Sequence, residues 1–313
     1  MKFVVLTLLL IVGTTSLSYA EEVFVGVGYG GRRIVSSDGQ QWEISAQWAE
    51  GGRDDSNNLM SLVFANGKFV ATGGGGGGKT AGGHVLVSTD GVNWKETWAA
   101  PNRVNPVVFD GQQLLLAGGP GRTIYVSEDA ETWRPAATLE DRRCTHFRHG
   151  VYGNGTFVIT GNRGGSSECW IATTKDGQTI DHIEFGIKSI RGMEYANGVF
   201  VVVGEQTRLV STDGKTWKPT GLAAEEKLSW LIHDGKAFYA GGWPNVYRSV
   251  DGESWEKVEM RFRGNPKWTD GTRIITTSWP GKMFFSPDFG KTWTAGNPLT
   301  PNGINKIVRG EVK

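Results

Sequence analysis

A glycine-rich stretch is the part of this sequence whose residue types come nearest to a known chemical site. In TGGGGGGKTAGG, residues 72–83, the positions Gly73, Gly78, Lys79 and Thr80 satisfy the phosphate-loop spacing of Gly, four residues, Gly, Lys and Ser or Thr. Such a loop binds phosphate only where a strand enters it and a helix leaves it. The segment that follows, HVLVSTDGVNW, predicts a strand and a turn instead. We therefore expect a long hairpin loop here and no bound nucleotide.

Arginine and aromatic residues recur at related positions and could bind a sugar or an anion. Arg148 and Arg191 each lie seven residues before a turn glycine, Gly155 and Gly198 respectively. Aromatic rings stack on sugars, and a guanidinium pairs with a carboxylate or sulfate through two hydrogen bonds. The alternative is that these side chains only fill gaps and solvate the surface. The predicted ligand-binding set comprises Arg103, Arg148, His149, Arg191, Trp230, Trp243 and Arg263.

Two glutamates are the candidates for a catalytic pair, although the sequence itself leaves the catalytic residues unknown. Glycoside hydrolysis uses two carboxyl groups about 5 to 10 Å apart, and the spacing of Glu194 and Glu205 along the chain does not give that distance. The five histidines form no HExxH pattern, and the two cysteines form no CxxC pair. We expect no metal and no other cofactor.

The first twenty residues predict an export signal. Residues 1–20 contain one lysine, an apolar run and the small-x-small site Ser18-Tyr19-Ala20, which is typical of a cleaved signal peptide. We expect a mature chain of residues 21–313, secreted or periplasmic, with no membrane span. The formal net charge of +1 provides no basic footprint for nucleic acid.

An internal repeat determines the predicted fold. Seven segments that match or closely follow the form Ser/Thr-x-Asp-Gly-x-x-Trp end at positions 37 to 52 residues apart, which is the length of one propeller blade. Strand-like segments precede each of them, and Asn-Gly or Asp-Gly pairs mark hairpins between those strands. We predict an all-β chain that forms a single seven-bladed β-propeller of four-stranded antiparallel blades. The seven segments end at Trp42, Trp94, Trp133, Ile180, Trp217, Trp255 and Trp293.

The repeated segment resembles the Asp-box, or BNR repeat, of sialidases, sortilin-type receptors, some xyloglucanases and a photosystem assembly factor. The resemblance covers essentially the whole mature chain and implies a propeller, but the motif recurs in proteins of unrelated activity. It implies a structural role in the turn for Asp38, Asp90, Asp129, Asp176, Asp213, Asp251 and Asp288. The Arg-Ile-Pro motif of sialidases does not occur. Blade four carries the most divergent copy, with Thr174 and Ile180 in place of Ser and Trp.

The two ends of the chain predict how the ring closes and what it displays. The chain starts without a first strand and ends with INKIVRG, residues 304–310, which is a first strand with nothing after it. Pairing of these ends would complete blade one and leave no open inner edge. Loops between blades, and between second and third strands, should gather on one face around the channel. We also expect a disulfide between Cys144 and Cys169, since an exported chain oxidises its thiols and both cysteines belong to loops of blade four.

Two functions of different classes fit these features. The first is an exported recognition or scaffold module that binds a glycan or an extracytoplasmic protein on the channel face. The alternative is a glycan-active enzyme, either a sialidase-like glycoside hydrolase or a polysaccharide lyase. The sequence does not identify the ligand, the oligomeric state or any catalytic activity.

Overall fold

The repeats fold into seven small sheets arranged as a ring. The computed structural model describes residues 21–48, 57–75, 82–118, 122–164, 166–221, 226–299 and 303–312. Every sheet has four strands, and all neighbouring strands are antiparallel. Within the described ranges, a 3-10 turn at Tyr29–Gly31 is the one helical element. The prediction of an all-β seven-bladed propeller is confirmed.

Each blade takes consecutive strands, except blade one, which takes its inner strand from the end of the chain. Blade one consists of β1 (Glu21–Gly28), β2 (Arg33–Ser36), β3 (Glu43–Ala46) and β28 (Ile304–Val312). Blade two consists of β4 (Asn58–Ala65), β5 (Lys68–Gly75), β6 (Gly82–Ser88) and β7 (Lys95–Ala100). Blade three consists of β8 (Val104–Phe109), β9 (Leu114–Gly118), β10 (Thr123–Ser127) and β11 (Arg134–Thr138).

The remaining four blades follow the same order from the channel outward. Blade four consists of β12 (Phe147–Gly153), β13 (Thr156–Asn162), β14 (Cys169–Thr174) and β15 (His182–Ile187). Blade five consists of β16 (Gly192–Ala196), β17 (Val199–Gly204), β18 (Thr207–Ser211) and β19 (Lys218–Pro219). Blade six consists of β20 (Trp230–His233), β21 (Phe238–Gly242), β22 (Asn245–Ser249) and β23 (Glu256–Val258). Blade seven consists of β24 (Asn265–Thr269), β25 (Ile274–Ser278), β26 (Lys282–Ser286) and β27 (Thr294–Ala295).

The C-terminal strand closes the ring, as predicted. Strand β28 pairs antiparallel with β1, with Phe24 opposite Arg309 and Val25 opposite Val308. The side chain of Asn305 then donates to Leu59 O of blade two at 2.7 Å. The first and last strands are therefore held in one sheet, and the inner edge of β1 is paired.

Seven hydrophobic clusters lie between neighbouring blades. Because successive side chains of a strand point to opposite faces, each strand packs against the blade on either side of its own. Phe157 and Trp170 are completely buried between blades three and four. Phe24 and Ile307 are buried between blades seven and one. Burial of these surfaces, which no single blade could achieve alone, stabilises the closed ring.

The repeated aspartate accepts hydrogen bonds inside each turn between third and fourth strands; we call these the Asp turns. In blade five, Asp213 Oδ1 accepts from the backbone N–H groups of Lys215 and Thr216, both at 2.8 Å. The Ser211 hydroxyl donates to Asp213 Oδ1 at 3.0 Å and accepts from the Gly214 N–H at 2.8 Å. Gly214 has φ 72°, a conformation that glycine adopts without steric cost. This pattern is what a structural role for the aspartates requires.

The divergent Asp turns keep the hydrogen bonds of the serine or threonine hydroxyl and of the aspartate. In blade four, Thr174 Oγ1 accepts from the Gly177 N–H at 2.9 Å, as serine does elsewhere. In blade three, Ala130 occupies the glycine position with φ 64°. In the other six turns the indole N–H of the tryptophan donates to the backbone carbonyl three residues earlier. The side chain of Ile180 has no N–H group and cannot form this bond. The turn therefore tolerates one missing contact without losing its shape.

The glycine-rich stretch lies in a hairpin of blade two. Gly75 of β5 is paired with Gly82 of β6, so the segment that follows the glycines is a strand, as predicted. Residues 76–81, which include Lys79 and Thr80, lie outside the described residues. The strand that a phosphate loop needs is present, but the helix that would follow it is replaced by β6.

A basic cleft at the channel mouth

The mouth face of the propeller, which carries the loops between blades and those between second and third strands, contains two connected cavities. The central channel is a cavity of about 850 Å³ lined by the inner strands of all seven blades. A second cavity of about 1040 Å³ lies between blades four and five, and we call it the cleft. Arg148, His149 and Arg191 line both cavities, so the cleft opens into the channel.

Arg148 and Arg191 lie at the junction of the two cavities, on adjacent blades. Arg148 donates through Nε to Asn162 Oδ1 at 2.9 Å. Arg191 donates through Nη2 to Glu205 Oε1 at 3.0 Å. Both side chains are exposed. Each guanidinium is oriented by one contact and has further N–H groups that can reach a ligand.

Basic side chains outnumber acidic ones in the cleft. Glu205 is the lining carboxylate in the described part of the chain, and it already pairs with Arg191. The cleft is more positive than the protein as a whole, whose formal net charge is +1. A concave surface that concentrates positive charge in this way attracts negatively charged ligands. The five basic residues that line the cleft are Arg148, Arg163, Lys188, Arg191 and Lys227.

A hydrogen-bonded loop shapes the blade-four side of the cleft. Thr145 Oγ1 accepts from the Gly164 N–H at 2.7 Å and contacts His146 Nδ1 at 3.1 Å. Arg163 pairs with Glu168 at 3.2 Å, and the Arg163 N–H donates to the Glu168 carbonyl at 2.8 Å. These contacts hold the wall that carries Arg163 in a defined position relative to Arg148.

Four titratable side chains from four different blades line the channel below the cleft. Burial, together with the positive charges of Lys306 and Arg148, lowers the pKa of His149 to about 4, so this imidazole is neutral at pH 7. Burial raises the pKa of Glu194, and Lys306 opposes that effect. Burial, together with Lys306, lowers the pKa of Lys267 to about 8. The channel therefore continues the positive character of the cleft inward.

The two candidate catalytic glutamates occupy different surroundings. Glu194 is half-buried in the channel, on inner strand β16. Glu205 lies in the cleft after the second strand of the same blade and pairs with Arg191. One carboxyl group thus has a raised pKa, while the other forms an ion pair with a guanidinium.

Other predicted ligand residues lie away from the cleft. Arg103 donates through Nε to Gly74 O at 2.7 Å, within the loops of blades two and three. Arg263 is exposed at the start of blade seven. Trp230 is only 8% exposed and packs edge-on against Phe262, so its ring belongs to the core although it also touches the channel wall.

Two tryptophans project from the mouth face without a buried environment. Trp243 is 89% exposed, and Trp279, which the sequence analysis did not place in the ligand set, is 65% exposed. Each lies between the second and third strands of its blade, in blades six and seven. Tyr29 contacts the Trp279 ring edge-on, with centroids 5.8 Å apart. Because most of the indole of Trp243 faces solvent, it is available to a partner.

The predicted disulfide between Cys144 and Cys169 is absent, and that prediction is wrong. Both thiols are free and buried. Cys144 packs between blades three and four, whereas Cys169 packs between blades four and five. Side chains alternate along a strand, so Trp170, the residue after Cys169 in β14, points to the opposite face and packs in the same cluster as Cys144. Cys169 Sγ accepts instead from Asn162 Nδ2 at 3.2 Å.

Sequence comparison identifies no relative. No family model matches the chain, and no curated protein is similar to it. In the described ranges, no three His, Cys, Asp or Glu side chains lie close enough together to hold a metal ion. Among the described residues, no helix is long and apolar enough to cross a membrane.

Solved structures share the fold at low sequence identity. A protein from Desulfotomaculum acetoxidans is 10% identical, with a TM-score of 0.64, over 94% of this chain and 100% of its own. A protein from Lactobacillus plantarum is 12% identical, with a TM-score of 0.63, over 93% and 100%. YCF48 bound to D1 peptide is 16% identical, with a TM-score of 0.59, over 95% and 98%. These similarities support the seven-bladed propeller fold.

Proposed function

We propose that this protein is a recognition or scaffold module that binds an anionic group of its partner in the cleft between blades four and five. The observation that carries this proposal is the composition of the cleft, in which five basic side chains surround one carboxylate. Charge-assisted hydrogen bonds from guanidinium groups are among the strongest contacts a protein can offer to a carboxylate or sulfate. The partner is a glycan or an extracytoplasmic protein that presents such a group.

Fold neighbours add support for partner binding. One is YCF48 with a bound D1 peptide, and another is part of the nidogen/laminin complex, at 11% identity and a TM-score of 0.51. The exposed indoles of Trp243 and Trp279 lie on the same face as the cleft. Tryptophan and arginine dominate binding energy at protein interfaces, and tryptophan also stacks on sugars.

The proposal includes compartment and family. The signal-like residues 1–20 support export to the periplasm or the medium, and the mature chain would then be residues 21–313. The hydrogen bonds of the Asp turns support membership of the Asp-box propellers, since Asp213 and its counterparts accept from two amides of the turn.

A binding panel tests the proposal. The wild-type protein is titrated with a sulfated heparin hexasaccharide, an oligogalacturonate and an aspartate-rich peptide, while neutral dextran and a lysine-rich peptide serve as controls. We expect binding to at least one anionic probe and to neither control, with affinity that falls as salt rises. Equal binding to neutral and anionic probes would contradict a charge-based site.

A glycan-active enzyme is the second candidate, and Glu194 is the observation that favours it. Burial raises the pKa of this half-buried carboxyl group, which is the property of a general acid. Turnover of chromogenic glycosides or anionic polysaccharides that is lost in Glu194→Gln but kept in Glu259→Gln, an exposed glutamate, would support hydrolysis or elimination. Binding without turnover would favour the recognition module.

A further inference from the structure

Two lysines on neighbouring inner strands face the channel without a counter-ion. Lys267 on β24 and Lys306 on β28 both line the central cavity, and these two strands pack side by side across the boundary between blades seven and one. Neither ammonium group forms an ion pair or hydrogen bond with any residue in the described ranges. Lys267 is half-buried, whereas Lys306 is exposed to the channel.

The positive charges of the two lysines repel each other in the channel. Lys306 is the charged neighbour that lowers the pKa of Lys267, after burial itself. Among the charges that lower the pKa of His149, that of Lys306 has the largest effect. Unpaired, partly desolvated charges of the same sign cost stability unless something neutralises them.

The remaining charged groups of the channel do not neutralise this pair. Glu194 is the carboxyl group that lines the cavity among the described residues; the charge of Lys306 acts on its pKa, but Glu194 is not within ion-pair distance of either lysine. Arg148 and Arg191 add positive charge at the mouth, and Arg309 is paired with Glu22 at 3.0 Å. His233 accepts from the Gly235 N–H at 3.0 Å.

We propose that Lys267 and Lys306 form a second anion site, inside the channel, which takes a small tetrahedral oxyanion such as inorganic phosphate or sulfate. A tetrahedral oxyanion has enough oxygens to accept from both ammonium groups at once, and the cavity of about 850 Å³ has ample room for it. The site is separate from the cleft, because its ligands come from blades seven and one.

The position of Lys306 couples this site to ring closure. Lys306 belongs to the strand that joins the end of the chain to β1, where it lies opposite Val27. An anion that bridges Lys267 and Lys306 therefore adds a contact across the boundary that closes the ring. Because the bound anion stabilises the folded chain and not the unfolded one, its binding should raise the unfolding temperature.

Thermal unfolding and calorimetry with inorganic phosphate test the site. At fixed ionic strength, phosphate should raise the unfolding temperature of the wild-type protein above that in chloride. Lys267→Met and Lys306→Met should each bind phosphate at least 10-fold more weakly and lose this increase. Lys257→Met, which removes an exposed lysine from outer strand β23, should keep it. In the Arg148→Gln/Arg191→Gln background, which lacks the arginines of the cleft, phosphate should still raise the unfolding temperature and Lys267→Met should abolish that rise, so failure here is distinguishable from failure of the proposed function.

A second measurement covers the case in which a methionine variant does not fold. Lysines of the wild-type protein are labelled by reductive ¹³C-methylation and titrated by NMR with and without phosphate. Phosphate should raise the pKa of Lys267, because it supplies the missing counter-ion. Phosphate binding that is unchanged in both methionine variants, a wild-type protein that binds none, or an unchanged pKa of Lys267 would overturn the proposal.

Discussion

Removal of one Asp-turn carboxylate tests how the repeated turns hold the propeller together. In Asp213→Ala the amides of Lys215 and Thr216 lose an acceptor at 2.8 Å, and the Ser211 hydroxyl loses one at 3.0 Å. A net hydrogen bond contributes about 1 kcal/mol, and water can replace the acceptor at exposed amides. We therefore expect a loss of about 1 to 2 kcal/mol in the free energy of unfolding, or roughly 2 to 6 °C in Tm.

Matched variants make this prediction specific. Asp213→Asn keeps an acceptor oxygen and should retain most of the stability. Glu259→Ala removes an exposed carboxylate that has no hydrogen bond to the described residues, and should change stability by less than about 0.5 kcal/mol. All variants are compared by denaturant unfolding and by titration with the anionic probes. An Asp213→Ala protein as stable as Glu259→Ala, with ligand affinity lost, would refute the structural role of the aspartate.

Three further predictions concern the same framework. Gly214→Ala should destabilise the protein by about 1 to 3 kcal/mol in denaturant unfolding, because its φ is +72° and the new Cβ would lie 2.8 Å from Val158 Cγ2. Gly221→Ala, at an exposed glycine with open space around it, should leave the stability unchanged. Acid should destabilise the fold as the pH falls from about 4 towards 2. Hydrogen bonding lowers the pKa of Asp213 to about 2 in the folded protein, so this carboxylate stabilises the fold above its unfolded-state pKa and loses the effect as the pH falls below it. Asp213→Ala should therefore lose less stability on acidification than the wild type. Both cysteines should be alkylated in the unreduced, denatured protein and protected in the native one, since both are buried and burial raises the pKa of the Cys144 thiol to about 12. A denatured, unreduced protein whose mass lacks the two adducts would contradict the assignment of both cysteines as free thiols.

The repeat made the fold predictable. Each Ser/Thr-x-Asp-Gly-x-x-Trp segment fixes a turn by local hydrogen bonds, so its recurrence at blade length predicts the number of sheets and their strand order. Ring closure followed from the complementary ends, since β1 lacks an inner neighbour that only residues 304–310 can supply. These features depend on short-range chemistry, which the sequence displays directly.

The cleft was only partly predictable. Counting from the turn glycines placed Arg148 and Arg191 at equivalent positions on adjacent blades, and both line the cleft. Lys188 and Lys227 were missed, because they lie in loops between blades, where no repeat fixes the register. The intervals between repeats gave no signal for these two lysines either, since the repeats that contain them span only 37 and 38 residues.

The direction in which a side chain points was harder to predict than its position along the chain. Cys144 lies in the loop that enters blade four and packs towards blade three, whereas alternation along β14 points the Cys169 side chain towards blade five. Trp230 has the composition of a ligand residue, yet it packs against Phe262 at a blade boundary. Which face a side chain occupies depends on strand bounds and bulges, and a shift of one residue reverses it.

Titration of the heparin hexasaccharide and the aspartate-rich peptide across a range of salt is the decisive test of our proposal that the cleft binds an anion through Arg148 and Arg191. Arg148→Gln/Arg191→Gln should weaken binding of the bound probe at least 10-fold and flatten its salt dependence. Arg134→Gln/Lys257→Gln removes the same charge from exposed outer strands and should bind as the wild type does. Unchanged affinity in the cleft variant, or an equal loss in both double variants, would contradict the account.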